Sequence, residues 1–249
     1  MNIGLYQSAS SLSALERWQE TVAQNITSSQ VTGYRKRTIN FSTQPAGELQ
    51  SDPRRPVGSE AGVPTLFPKV NSGINFVSGE TQPTRRDFDV AIQGDGFFQV
   101  RRPDGSFAYT RNGEFHVRAD RTLVTGTGDE VLNAGGGPIT FLPNGDQVAI
   151  NTDGSIFQGE TPVANMSVQR FADNAQLIPM PNGYFVPAAG MAPEAVTQPE
   201  LLQGYLENSN VTPLREMVDL VIISRAYEAN QRMITTLDQQ MQKALDMLG

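Results

Sequence analysis

PLREMVDLVIISRAYEANQRMITTLDQQMQKALDMLG, residues Pro213–Gly249, decides how the rest of the chain is read. Its one proline stands first and its one glycine last. Between them Leu220, Ile223, Tyr227, Ile234, Leu237, Met241, Ala244 and Leu248 recur at alternating steps of three and four, and Asn230 is the one polar residue in the series. Such a 3.5-residue period marks the seam of a helix that lies along other helices. Thr212 is placed to cap the free amides of the first turn. Pro213 suits the first helical position, where its missing N–H costs nothing. At 1.5 Å per residue the helix is roughly 50 Å long. Beyond the seam, Met217, Val218, Val221, Ile222, Ala226 and Ala229 make the first turns apolar on most sides, more than one partner helix covers. Either the rest of the chain covers the excess or several neighbouring helices do. Glu228 and Arg232, four apart in the favourable orientation, add about 0.3–0.5 kcal/mol. Asn230 weakens the seam but can fix its register.

A partner with the same period stands at the other end of the chain. Met1, Leu5, Ser8, Leu12, Leu15, Gln19, Val22 and Ile26 alternate threes and fours, which predicts a second long helix from residue 3 to about 28. Thr32-Gly33 ends it, glycine supplying the left-handed turn after a helix. Each helix could simply pack on its own domain, but two seams of one period at opposite ends of the chain favour pairing of the terminal helices with each other.

Between them the chain changes character twice. Residues 39–83 hold Pro45, Pro53, Pro56, Pro64, Pro68 and Pro83 with scattered glycine and serine, and read as an extended connector, with Val63–Phe67 an edge strand at best. From residue 84 to 204 the signal is β. Phe88, Val90 and Ile92 alternate with polar or small residues. Phe98 and Val100, Phe107 and Tyr109, Phe115 and Val117, and Leu123-Val124 follow, with turns expected at Asp104-Gly105 and Asn112-Gly113. Further strands are expected around Ile139–Phe141, Val148–Ile150, Ser155–Phe157, Val163–Phe171 and Tyr184–Val186, with turns at Asn144-Gly145 and Asp153-Gly154. The fold class is therefore α+β: long terminal helices and a central antiparallel all-β domain.

Composition removes several functions. A net charge of −7 and a pI near 4.8 give no excess of lysine and arginine to meet phosphate, so no nucleic-acid partner is expected. Without cysteine there is no thiol nucleophile, disulfide or cysteine-ligated metal. His116 is the only histidine, so neither a zinc cluster nor a Ser-His-Asp relay is expected. Gly94-Asp95-Gly96 has Gln99 where a dinucleotide fingerprint needs its third glycine, and a hairpin rather than a helix follows. Asp87, Asp89 and Asp95 read as a solvated edge. No catalytic, cofactor or metal residue is expected. The N-terminus has neither a basic start nor an uninterrupted apolar block, so no cleaved signal peptide is expected. The most apolar window, Met217–Ile223, is far too short to span a bilayer.

Three ordered stretches carry a resemblance. They are QNITSSQVTGYRK (Gln24–Lys36), DVAIQGDGFFQVRRPDGSFAYTRNGEFHV (Asp89–Val117) and QGYLENSNVTPLREMVDLVIISRAYEAN (Gln203–Asn230). Together they resemble the signatures of the flagellar basal-body rod protein family, of the FlgF/FlgG type. Asn25, Gly33 and Tyr34 match the first motif, and Gly94, Gly96, Phe97 and Phe98 the second. Gln24-Asn25 stands where the family usually has two asparagines, and Arg121 where a turn glycine is expected. Gly135–Ile139 and Asn210–Pro213 look more like the FlgF branch than the FlgG branch.

The resemblance implies a structural subunit, with 1–38 and 205–249 pairing as a coiled coil that lines the inner tube of the rod, 39–83 an extended connector and 84–204 an outer β domain. It further implies self-assembly into a helical tube that transmits torque from motor to hook across the periplasm. The implied partners are copies of the chain, other rod and hook proteins, and the flagellar type III export apparatus, with no direct membrane insertion. The implied location is the basal-body rod, reached without a cleaved signal. A reading of a different class stays open: a secreted enzyme or glycan-binding β domain oligomerised by its terminal helices.

Overall fold

The computed structural model describes residues 3–49, 63–143 and 145–246, with backbone alone for Ile3, 45–49, 63–65, 244 and 245. The fold is α+β: an N-terminal helix, a C-terminal helix and a central antiparallel β domain. The chain forms two compact units. One comprises Met1–Thr27, Arg37–Gly73 and Thr212–Gly249; the other comprises Ser28–Lys36 and Ile74–Val211.

The first unit contains α1 (Ile3–Thr27), β1 (Arg37–Leu49), β2 (Val63–Ile74) and α2 (Pro213–Asp246). α2 begins where Thr212-Pro213 placed it. The Thr212 carbonyl accepts from the amides of Arg215 and Glu216 at 3.0 and 3.2 Å, as an N-cap residue does. α1 and α2 pack against each other, and α1 also meets β1. The Trp18 ring stands edge-on to Phe41 at 5.5 Å, and Gln7 Nε2 donates to the Leu66 carbonyl at 3.1 Å.

β1 and β2 lie within the stretch expected as a loose connector, where only Val63–Phe67, the start of β2, is expected as an edge strand at best. They pair as a two-stranded ribbon despite Pro45, Pro64 and Pro68. In two strands both are edges, so a proline can turn its missing N–H outward without breaking a ladder. Pro53, Pro56 and the Arg54-Arg55 pair lie outside the described residues.

The second unit is built on the strand Phe97–Arg101, both of whose faces are buried. Phe98 and Val100 enter a large cluster with Val90, Ile92, Phe115, Leu123, Ile139 and Ile156; Phe97 enters a second with Tyr109, Phe171, Leu177 and Phe185. The adjacent phenylalanines therefore serve two cores, since successive strand side chains point to opposite faces. The main sheet runs Leu177–Pro179, Tyr184–Pro187, Phe107–Thr110, Phe97–Arg101, Glu130–Val131, Leu123–Thr125, Phe115–Val117. Val168–Arg170 also pairs with Phe97–Arg101, and a separate three-stranded sheet holds Val148–Ile150, Ser155–Gln158 and Thr161–Asn165. The chain returns through Glu200–Gln203 against Val90–Gln93 and Tyr205–Glu207 against Thr81–Pro83.

Two hairpin turns follow one design. Asp104 Oδ1 accepts from the amide and hydroxyl of Ser106 at 2.8 and 2.5 Å, and Asp153 Oδ1 from those of Ser155 at 3.0 and 2.6 Å. These bonds hold both carboxyls below the usual aspartate range. Asn112-Gly113 differs from expectation. Phe107–Thr110 and Phe115–Val117 do not pair, and a Cβ on Gly113 would lie 1.7 Å from the Val90 carbonyl oxygen. That glycine permits a close backbone crossing rather than a hairpin. Around Ile139–Phe141 the chain makes isolated bridges, Pro138 with Leu132 and Thr140 with Thr122, instead of a strand, and the expected Val163–Phe171 strand divides into Thr161–Asn165 and Val168–Arg170. Asn144 of the expected Asn144-Gly145 turn lies outside the described residues.

Candidate functional site

In the helical unit the seam of α2 coincides with its least exposed stripe. Ile223 is fully buried, and Leu220, Tyr227, Asn230, Ile234 and Leu237 are half-buried. Met241 is exposed, while Leu248 and the side chain of Ala244 lie outside the described residues. On α1, Val22 is buried and Leu5, Leu12, Leu15 and Ile26 are half-buried. Gln19 of the α1 series is exposed; Ala14 and Asn25 are buried off it, and Met1 lies outside the described residues. Asn230 is tied to α1, its Nδ2 donating to the Ser8 carbonyl at 3.0 Å. A carbonyl at that point would otherwise face an apolar side chain, so this one contact favours one register of α2 along α1.

The other face of α2 has no such cover. Leu214 is 74% exposed, and Met217, Val218, Val221 and Ile222 are about half exposed, 48–54%. They recur at i, i+3, i+4, i+7 and i+8, which is one helical face. Beside the two helices lies an open groove of about 720 Å³, bounded by Gly4, Ser8, Ser11 and Ala14 of α1, Ala226, Ala229, Met233 and Leu237 of α2, and Phe41 and Pro68 of the ribbon. No charged residue lines it among the described residues.

Asn25 is a joint within this unit. Its amide bonds both backbone groups of Arg37, giving from Nδ2 to the carbonyl at 2.8 Å and taking the N–H on Oδ1 at 2.9 Å. Nδ2 also reaches Glu216 Oε2 at 3.0 Å, in the first turn of α2. Asn25 and Glu216 are both essentially inaccessible to water. The end of α1, the start of the ribbon and the start of α2 therefore meet at one side chain, which explains a polar residue beside Ile26.

The β unit has its own buried joint. Gly33 has φ +69°, donates its N–H to the Glu207 carbonyl at 2.7 Å, and a Cβ there would sit 2.4 Å from the Arg111 carbonyl carbon. Tyr34 beside it is buried. The buried Glu207 carboxylate accepts from Arg35 Nη1 at 2.5 Å, Arg111 Nη1 at 3.4 Å and the Gly79 amide at 2.8 Å. Arg111 also donates to the carbonyls of Ile92, at 3.1 Å, and Gly94, and its guanidinium lies over the Phe97 ring at 5.5 Å. Burial, partly countered by Glu207, lowers the Arg111 pKa to about 10. Gly94 has φ +84°, and Gly96 has φ +135° with the Val168 side chain 2.7 Å from where a Cβ would stand. Asn210 closes the same region, accepting from the Lys36 amide at 2.6 Å and donating to the carbonyls of Asn75 and Val77 at 2.9 and 2.7 Å.

Sequence reasoning passed over Arg35, Arg111, Glu207, Glu216 and Asn210. Their signal was available only as polar residues embedded in the three quoted motifs. Asp89, read as part of a solvated edge, is buried and bonded to Arg86 Nε at 2.8 Å. His116 is exposed on its strand, and no group of three metal-ligating side chains occurs among the described residues. No helix of the described residues is long and apolar enough to cross a membrane.

Residues 91–158 match the family model of the flagellar hook protein FlgE/F/G D1 domain, and residues 202–247 that of the flagellar basal body rod FlgEFG protein C-terminal region. The chain is 32% identical to the flagellar basal-body rod protein FlgF of Caulobacter vibrioides, over 100% of this chain and 99% of that one. It is 32% identical to FlgF of Rhizobium meliloti over the same shares, and 32% identical to the flagellar basal-body rod protein FlgG of Borreliella burgdorferi over 94% of each chain.

Proposed function

The chain belongs to the flagellar basal-body rod protein family, and on that premise we propose that it polymerises with copies of itself and other axial proteins into the helical tube that carries torque from motor to hook across the periplasm. Members of this family are structural proteins and not enzymes, which sets aside the secreted enzyme. In this reading α1 and α2 pair as a coiled coil lining the inner tube, the β body faces outward, and the chain travels through the flagellar type III apparatus without a cleaved signal. The observation that carries it is the pair of apolar faces on α2. One, through Ile223, is covered within the chain; the other, from Leu214 to Ile222, faces water. A helix apolar on both sides is built for neighbours the single chain does not contain.

Within the family we place the chain in the FlgF position. Gly135–Ile139 and Asn210–Pro213 support that choice, as does the end-to-end alignment with FlgF relatives. Expression in strains lacking either FlgF or FlgG tests it: motility restored only in the strain without FlgG would refute the placement.

Ile234→Asp and Leu237→Asp test the seam itself. Each puts a charge between α1 and α2 and should stop rod assembly while the β body keeps its near-ultraviolet circular dichroism. Normal basal bodies carrying either variant would count against the seam's role.

A further inference from the structure

We propose that the exposed ridge of α2 formed by Leu214, Met217, Val218 and Val221 seats in the groove between α1 and α2 of a second copy of this chain. The inference rests on the rod-subunit reading and adds the two surfaces that meet. Four observations select the occupant. Ridge and groove are both apolar and uncharged, so neither forces a buried unpaired charge on the other. Small side chains, Ser8, Ser11 and Ala14 on one helix and Ala226 and Ala229 on the other, open the groove between larger ones such as Leu15, Met233 and Leu237, which lets a helix approach closely. Its volume of about 720 Å³ takes several side chains at helical spacing rather than one. Lastly, ridge and groove sit at different heights on the same helix.

That last point decides the symmetry. The ridge centres near residue 218 and the groove's α2 wall near residue 231, some 13 residues on. At 1.5 Å per residue, copies lying parallel would be offset by about 20 Å along the helix axis. A patch that fits a different patch on an identical neighbour makes a heterologous contact, which repeats without closing. A ridge-to-ridge pair would instead close as a dimer and end growth.

Because the chain has no cysteine, introduced thiols report this contact without background. Ser11→Cys marks the groove and Val218→Cys the ridge. Each single variant of the full chain is concentrated, alone and as an equal mixture, and exposed to a mild oxidant. The expected result is a disulfide-linked dimer in the mixture, at least tenfold above either variant alone. Crosslinking of Val218→Cys with itself, and no heterodimer of the two variants in the mixture, means ridge meets ridge, and overturns the proposal. No crosslink in the mixture, where the unaltered chain sediments as polymer, overturns this pairing while the rod assignment stands. If the unaltered chain never polymerises at any concentration, alone or with axial relatives, the assembly reading fails and the pairing with it. A second pair, Ala229→Cys with Met217→Cys, guards against a local distortion in the first.

Discussion

Glu207→Ala asks whether charge holds the β body together at the point where the chain enters and leaves it. The side chains of Glu207 and Arg35 are 2% and 1% exposed, and that of Arg111 is 4% exposed. Removing the carboxylate leaves two buried guanidinium groups without their shared counter-charge. Breaking a buried pair from one side costs about 3–5 kcal/mol. The Gly79 amide, which donates to Glu207 at 2.8 Å, also loses its acceptor, at a cost of about 1–3 kcal/mol. Water entering the space offsets part of this, so a loss of about 4 kcal/mol is expected, a large part of the roughly 5–15 kcal/mol that holds a domain together. Glu207→Gln keeps an acceptor for Gly79 and loses only the charge, so it should cost about 2 kcal/mol. Glu194→Ala is the control: its bond to Arg170 at 3.1 Å joins side chains 58% and 62% exposed, and an exposed pair contributes at most about 0.5–1 kcal/mol. Urea unfolding followed by two signals separates the units, because α1 and α2 both lie in the first while four of the six tyrosines, the buried Tyr34, Tyr109 and Tyr184 among them, lie in the second. The tyrosine signal should move to lower urea in Glu207→Ala. If Glu207→Ala loses no more than Glu194→Ala, the buried joint is not what stabilises the β unit.

Other consequences can be measured in the same way. Gly33→Ala should cost about 3 kcal/mol in the tyrosine transition, since it adds left-handed strain to a Cβ 2.4 Å from backbone; an unchanged midpoint would mean that the local backbone moves freely. Arg121→Gly should stabilise by about 0.5–1 kcal/mol, because Arg121 holds φ +70°, which glycine adopts without strain; a lower midpoint would show that its side chain does more than tolerate the turn. Tyr184 is buried, with Thr125 and Thr127 hydroxyls at 2.9 and 2.6 Å. Burial, together with nearby Asp129, raises its pKa from 10.0 to about 12. A phenol raised on folding contributes stability that is whole below pH 10 and lost as pH climbs toward 12. Tyr184→Phe should therefore lose less stability than the parent between pH 10 and 12. The lowered Arg111 acts in the opposite direction there, but equally in both proteins, so parallel profiles would refute the assignment to Tyr184.

The helices were legible because their signals are local. A 3.5-residue period and a Thr-Pro start need no knowledge of what lies across the fold, and the Asp-Gly-Ser turns are equally self-contained. Of the ribbon only Val63–Phe67 was legible, as an edge strand at best, because proline density argues against strands in general and is harmless in a ribbon of two edges. Asn112-Gly113 misled for a related reason: glycine allows both a left-handed turn and a close approach, and only the Val90 carbonyl shows which is needed. The buried joints were hidden most deeply. Arg35 meets a carboxylate 172 residues away, and Asn25 meets one 191 residues away. A charged residue in sequence is by default a solvated one, and nothing local to Glu207 contradicts that default.

α2 divides along its length in a way that bears on how assembly would start. In its first turns a covered face with Leu220 and Ile223 stands beside an open one with Met217, Val218, Val221 and Ile222. Past Met233, the exposed side chains are polar (Thr235, Thr236, Asp238, Gln239, Gln240, Gln242, Lys243 and Asp246) apart from Met241, and among the described side chains the apolar ones, Ile234, Leu237 and Met241, all belong to the seam. Among the described side chains, the distal half therefore has one apolar face and the proximal half two. A helix held only by a half-buried seam depends on its length and its neighbours for stability, whereas the proximal turns are anchored by the Glu216–Asn25 bond at 3.0 Å. In our assembly reading the ridge is thus presented by the best-fixed part of α2, and the groove, with Ala229, Asn230, Met233 and Leu237, by the part that gains most from being covered. Seating one copy's ridge in the next copy's groove would then order the distal turns of the receiving helix. Growth would stabilise each subunit in turn instead of requiring a fully ordered helix pair beforehand.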